Sequence, residues 1–158
     1  MNSSLTNLAA NGRRTDILER VESPAAALTL TRSATLAITT AATIITWQTE
    51  LRNNGFTWSG TNITIPTTGF YNIAFHYFAT VAVTTYTRIN VNSIWVVEMP
   101  ASPGNRSRPA VTYTRYFTTG DIITIQVDTT ANHTMAVNAE NTANESPFLH
   151  IVQLTGGL

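Results

Sequence analysis

At 158 residues the chain fits one domain with a short appendage, enough to bury about two-thirds of the surface its unfolded form exposes. It has no cysteine, which excludes disulfides and thiolate metal centres, and its formal net charge of zero removes the electrostatic drive towards nucleic acid. Charged residues make up 11% of the chain, against roughly 25% in an average soluble domain, and every basic residue is Arg. A surface so poor in charge risks self-association unless copies of itself or a partner cover it.

The start, Met1-Asn2-Ser3-Ser4, lacks a charged region followed by an apolar one, so no secretory signal is expected. On that expectation the Asn-x-Ser/Thr sequons at Asn2, Asn62, Asn105, Asn132 and Asn144 are chance products of an Asn- and Thr-rich chain. No apolar run approaches the roughly 18 residues of a membrane span. Residues 1–34 read as an N-terminal arm, with Arg13, Arg14, Asp16, Glu19, Arg20, Glu22 and Arg32 concentrated there. Thr15 or Asp16 caps a short helix, Asp16 and Glu19 have capping-box spacing, and Ile17, Leu18 and Val21 form its apolar stripe. Ser23-Pro24 ends it or starts another turn. A helix this short needs a surface to lie on.

Residues 35–158 read as an all-β domain. Expected strands are Thr35–Thr39, Thr43–Thr49, Asn62–Ile65, Phe70–Thr80, Thr85–Val91, Ile94–Glu98, Ala110–Phe117, Ile122–Asp128, Thr134–Ala139 and Phe148–Leu154, rich in β-branched and aromatic residues. Asn53-Asn54-Gly55, Ser59-Gly60, Pro66-Thr67-Thr68-Gly69, Asn92-Ser93, the Pro100-to-Pro109 segment and Thr119-Gly120-Asp121 punctuate them. Many short strands at this spacing predict a sandwich or barrel, and no helix-length segment interrupts them to make βαβ units.

The order of motifs resembles the jelly roll shared by tumour necrosis factor and the globular heads of complement subcomponent q. The residues carrying the resemblance are Ile44-Ile45-Thr46-Trp47, then Asn54-Gly55-Phe56-Thr57-Trp58, then Ile65-Pro66-Thr67-Thr68-Gly69-Phe70-Tyr71. A hairpin over Arg88–Val97, a Gly120-Asp121-Ile122-Ile123 turn-strand and a closing strand opened by Pro147-Phe148-Leu149 follow. The resemblance spans about Thr35 to Leu158 and implies a jelly-roll sandwich of two antiparallel sheets that assembles as a homotrimer. It implies that Tyr71, Ile73, Phe75 and Tyr77 are buried between the sheets, while Phe70, Asn72, Ala74 and His76 face a threefold axis. Phe70, Asn72, His76, Phe148 and His150 are the expected trimer-interface residues. The sequence shows no collagen-like repeat and no secretion signal, which points towards the viral and phage uses of this fold in capsid decorations, spikes and fibre heads.

Catalytic spacing is absent from the sequence: no HExxH, nucleophile elbow, P-loop or dinucleotide fingerprint occurs. By resemblance His76 and His150 approach the axis, where three copies could gather a metal; neutral, hydrogen-bonded interface histidines are the preferred reading. Asp121 is assigned to turn chemistry rather than calcium, and Glu140 and Glu145 beside Asn141 and Asn144 are a thin calcium candidate. Trp47, Trp58 and Trp95 are assigned to core or interface rather than to a sugar-stacking platform. Asn11-Gly12-Arg13 reads as an exposed turn.

These readings predict a trimeric decoration or cement protein on the outer surface of a virion, without enzymatic activity, cofactor, metal, nucleic-acid or membrane partner. Its partner is the major capsid protein, held through Arg13, Arg14, Ile17, Leu18, Arg20, Val21 and Arg32 of the arm. The second reading is the receptor-binding adhesin head of a viral fibre or spike.

Overall fold

The described residues alternate apolar and polar side chains over thirteen short strands, and in the computed structural model eleven of these pair into two facing sheets. The structure describes residues 25–101, 109–137 and 146–154. The expected helix around Ile17, Leu18 and Val21, the arginines Arg13, Arg14 and Arg20, and the Glu140 and Glu145 loop lie outside the described residues.

In chain order the strands are β1 (Ala27–Thr31), β2 (Leu36–Ile38), β3 (Thr43–Ile44), β4 (Thr49–Asn54), β5 (Thr57–Ser59), β6 (Asn62–Thr64) and β7 (Gly69–His76). Then come β8 (Thr85–Val91), β9 (Ile94–Ala101), β10 (Ala110–Phe117), β11 (Ile122–Thr129), β12 (His133–Met135) and β13 (Phe148–Gln153). One sheet has the order β10-β7-β13-β1-β4; the other has β5-β6-β11-β8-β9, with β3 added on β11. β12 and β2 form a separate small ribbon. All of these pairings are antiparallel. The all-β jelly-roll sandwich expected from the sequence is the architecture observed.

The core lies between the two sheets. β7 turns Tyr71, Ile73 and Phe75 inward, and β11 answers with Ile123, Ile125 and Val127, each at most 1% exposed. Period-two alternation is what places every second residue there. Aromatic edges lock the packing: Trp47 meets Phe75 at 5.9 Å and 84°, and Tyr71 meets Phe117 at 6.0 Å and 79°.

The turn motifs have direct physical roles. The buried Tyr71 hydroxyl donates to the Thr67 carbonyl at 2.7 Å, so the tyrosine ties its strand to the Pro66–Gly69 turn that precedes it. Asn92 and Ser93 both take positive φ, 51° and 66°, the backbone a two-residue type I′ hairpin requires between β8 and β9. Asp121 acts as a turn residue: its carboxylate accepts from the Thr118 amide and from Asn92 Nδ2, both at 2.8 Å, and joins the β10–β11 turn to the β8–β9 hairpin.

The structure departs from the expected elements in several places, among them the additional strands β4 and β5 and the expected Thr134–Ala139 strand, which ends as β12 at Met135. The jelly roll begins at β1, upstream of Thr35, because Leu28 and Leu30 are fully buried and Ala27–Thr31 pairs with β13 on one side and β4 on the other. Arg32 therefore serves inside the fold: 5% exposed, it donates to the Thr46 carbonyl and to the Ala34 carbonyl, the latter at 3.2 Å. This corrects its assignment to the capsid-binding set. Thr43–Thr49 is not one strand. After β3 the chain crosses between the sheets, burying Ile45 and Trp47, and enters β4 on the other side. Alternation persists through such a crossing, so it cannot reveal one. Finally β7 ends at His76: the Tyr77 amide bonds the Pro109 carbonyl, and Ala79 bridges Met135.

Candidate functional site

The outer face of the five-stranded sheet is assembled from residues that alternate with the core. The register sets them in rows across the strands. His76 stands between Ala110 and Phe148, with Thr31 beyond. Ala74 stands between Thr112 and His150, with Thr29 and then Arg52 beyond. Asn72 stands between Thr114 and Val152, and Phe70 stands beside Tyr116.

This arrangement brings the five expected interface residues onto one face. His76 stacks on Phe148 at 5.5 Å and 24°, and Phe148 stacks in turn on His150 at 6.2 Å and 21°. His150 Nδ1 shares a hydrogen bond with the Thr29 hydroxyl at 3.0 Å. Asn72 donates to the Thr114 hydroxyl at 2.9 Å. Phe70 meets Tyr116 edge to face at 5.3 Å and remains 49% exposed. Tyr116 and Leu154, whose amide bonds the Phe70 carbonyl, are also more than half exposed. The face thus carries a stack of one phenyl ring and two imidazoles at one end and an exposed apolar group of Phe70, Tyr116 and Leu154 at the other, with the Asn72–Thr114 pair between them.

Tyr116, Leu154 and Thr29 were not singled out from the sequence. Tyr116 was findable, because it alternates with the buried Val111 and Phe117 and the half-buried Tyr113 of β10. Thr29 was not, because nothing local reveals a cross-strand partner 121 residues away.

The remaining histidine belongs to a different environment. His133 is 7% exposed, stacks on Tyr77 at 5.9 Å, and lies 3.1 Å from its hydroxyl through Nε2. Its Nδ1 lies 3.3 Å from the Ala131 carbonyl, which can only accept. The neutral ring with the proton on Nδ1 satisfies both contacts, with Nε2 accepting from Tyr77. Burial pushes the His133 pKa down and pushes the Tyr77 pKa up to about 12, so both stay uncharged near neutrality. His133 thus sits apart from His76 and His150. Among the described residues no group of three His, Asp or Glu side chains is placed to hold a metal ion.

The tryptophans separate as well. Trp47 is a core residue at 3% exposure, and Trp58 packs against the core with its Nε1 donating to Glu50 at 2.6 Å. Trp95 departs from the core-or-interface expectation as a core residue, since it is 54% exposed on the other sheet.

Solved structures with the same architecture span nearly their whole length on this chain. Murine APRIL, in its pH 5.0 crystal form, superposes with a TM-score of 0.60 at 17% identity, covering 82% of this chain and 99% of its own. The globular domain of zebrafish complement 1qA protein gives 0.57 at 11% identity, covering 84% and 99%. Eiger TNF from S. frugiperda gives 0.57 at 13% identity, covering 85% and 96%. The fold is the TNF/C1q-like jelly roll. No protein-family profile and no curated protein matches the sequence, so the likeness is carried by the course of the strands.

Proposed function

We propose that this chain is a non-enzymatic homotrimer that decorates and stabilises the outer surface of a viral capsid. The observation that carries the trimer is the outer face of the five-stranded sheet. The His76–Phe148–His150 stack at one end and the exposed Phe70, Tyr116 and Leu154 at the other, separated by the polar Asn72–Thr114 pair, leave apolar side chains in water unless a second surface covers them. A threefold ring of heterologous contacts covers the same face in every copy, and the TNF/C1q-like fold is commonly used as a trimer.

The capsid reading rests on composition and on the arm. The low charge and absence of Lys suit a protein whose surface is largely covered. Arg13, Arg14 and Arg20 carry planar forks that pair with carboxylates of the major capsid protein, and Ile17, Leu18 and Val21 supply an apolar anchor. Three arms on one trimer engage together, so modest contacts sum to firm attachment. A receptor-binding adhesin head is the second reading, favoured by one observation: Trp95 stands exposed on the opposite face of the sandwich.

The test removes residues 1–22. The expected result is a folded trimer, by sedimentation, that no longer co-sediments with capsids lacking this protein. Undiminished attachment would move the binding surface to the jelly roll and favour the adhesin reading.

A further inference from the structure

The outer face of the six-stranded sheet holds an aromatic residue where burial would be expected. Trp95 in β9 stands opposite Asn90 in β8, which stands opposite Thr124 in β11. In the next row Glu98, Arg88 and Gln126 lie side by side on the same three strands. The Trp95 ring is held rather than loose, because the Arg88 guanidinium carbon sits 4.6 Å from its centroid. Arg88 is fixed in turn by Glu98 at 2.5 Å and Asp128 at 3.3 Å. Asn90 is only 8% exposed and donates to the Gln126 carbonyl oxygen at 2.8 Å, which orients the Gln126 amide group.

From this arrangement we propose that the outer face of the six-stranded sheet is a binding site for a neutral pyranose sugar, with Trp95 as the stacking platform. A sugar ring has an apolar face of C–H groups and a rim of hydroxyls. The face is attracted to the negative quadrupole of an indole. The rim needs donors and acceptors fixed in place, and Gln126 and Thr124 provide an amide and a hydroxyl beside the ring, with the buried Asn90 holding the Gln126 amide in position. A flat sheet with one stiff aromatic and locked polar neighbours loses little entropy on binding.

Charge selects the class of sugar. Around Trp95 the single positive Arg88 is matched by two carboxylates, Glu98 and Asp128, so an acidic sugar meets net repulsion while a neutral one does not. The same surroundings disfavour a protein partner. Charged residues are depleted at the centre of protein interfaces, and here Arg88, Glu98 and Asp128 crowd the exposed Trp95 ring. The inference does not rest on the trimer, since the two outer faces lie on opposite sides of the sandwich.

The experiment titrates the full-length protein with the methyl glycosides of glucose, galactose and mannose, read by saturation-transfer NMR and tryptophan fluorescence, with N-acetylneuraminic acid as the acidic probe. At least one neutral glycoside is expected to bind saturably in the millimolar range, typical of a single shallow ring contact. Trp95→Ala is expected to weaken it at least about tenfold and Gln126→Ala by several-fold, while Trp95→Phe keeps part of the affinity. Far-UV spectra and sedimentation establish that each variant remains folded; if Trp95→Ala does not fold, Gln126→Ala and Trp95→Phe decide. Absence of saturable binding by all three neutral glycosides, binding indifferent to Trp95→Ala, or preference for the acidic sugar would each overturn the proposal. So would a loss of capsid attachment in Trp95→Ala with no sugar bound by the parent protein, which would make this face a protein contact.

Discussion

The two outer faces of the sandwich are built by the same alternation and differ in what they expose. On the five-stranded sheet the outward positions are rings stacked on rings, His76 on Phe148 and Phe148 on His150, with Phe70 and Tyr116 at the end. On the six-stranded sheet Arg88, Glu98, Gln126, Asp128 and Asn90 pair with one another beside the Trp95 indole, with Ile44 and Ile122 exposed as separate apolar positions. The first face gains by losing water over a broad area, which is what a subunit interface does. The second has already satisfied its polar groups within one chain and gains little from wholesale burial. One fold thus carries an outer face marked by aromatic rings and another marked by paired polar and charged side chains.

The sharpest break of this contrast is a charge placed on the first face. Phe148→Arg sets a cation between His76 and His150 in each protomer and removes the ring that joins them. Sedimentation velocity is expected to shift from a mass near three times the 17.2 kDa chain to the chain itself, because three unpaired charges at a closed interface are far costlier than the lost stacking. An unchanged trimer would assign the interface elsewhere.

The turn that ends the second sheet offers a smaller effect. Asp121→Ala removes the acceptor for the Thr118 amide, a bond within the β10–β11 turn, and for Asn92, the link from that turn to the β8–β9 hairpin. A loss of about 1–2 kcal/mol is expected in denaturant titration, with the oligomer unchanged. Dissociation in this variant would show that the two faces are energetically coupled.

The interior between the faces has its own pH dependence. Burial lowers the His133 pKa, so the unfolded chain binds a proton there that the folded chain refuses. The contribution of neutral His133 is fully present above the unfolded value of about 6.5 and is lost as pH falls through the lower folded value. One proton limits the slope to about 1.4 kcal/mol per pH unit. His133→Gln is expected to flatten the acid limb of the melting profile, and an identical limb in both proteins would remove His133 from the account.

The smallest effect belongs to the polar face. Arg88→Met breaks two partly exposed ion pairs and the guanidinium–indole contact. Such surface terms are worth about 1 kcal/mol or less in total, so Tm is expected to move by only a few degrees. A larger drop would mean that the Arg88 cluster supports the sheet as well as its surface.

Part of this contrast was legible before the structure. Phe70 and Tyr71 are adjacent apolar residues in an extended segment, and adjacent residues must point to opposite faces, so β7 carries a large aromatic side chain on each side. The Asp121 turn and the Tyr71 turn-strand were likewise local, since their partners lie within four residues or across one hairpin. Arg32 and Trp95 were not legible. An Arg in a charged segment resembles the solvated arginines before it, and only the crossing chain at Thr46 makes it interior. Trp usually fills cores, and only the register of β9 against β8 turns Trp95 outward over Arg88.

By itself the sequence determined the all-β class, the face each residue of β7 takes, and the turns that join neighbouring strands, because period, side-chain shape and positive-φ preferences act over a few residues. Tertiary structure alone decided which strands become neighbours. It put β1 between β13 and β4, split the apolar run at Ile45 and Trp47 between two sheets, and set His150 beside Thr29. Those outcomes depend on closing one core around residues more than a hundred positions apart, and no local pattern encodes the partner across such a distance.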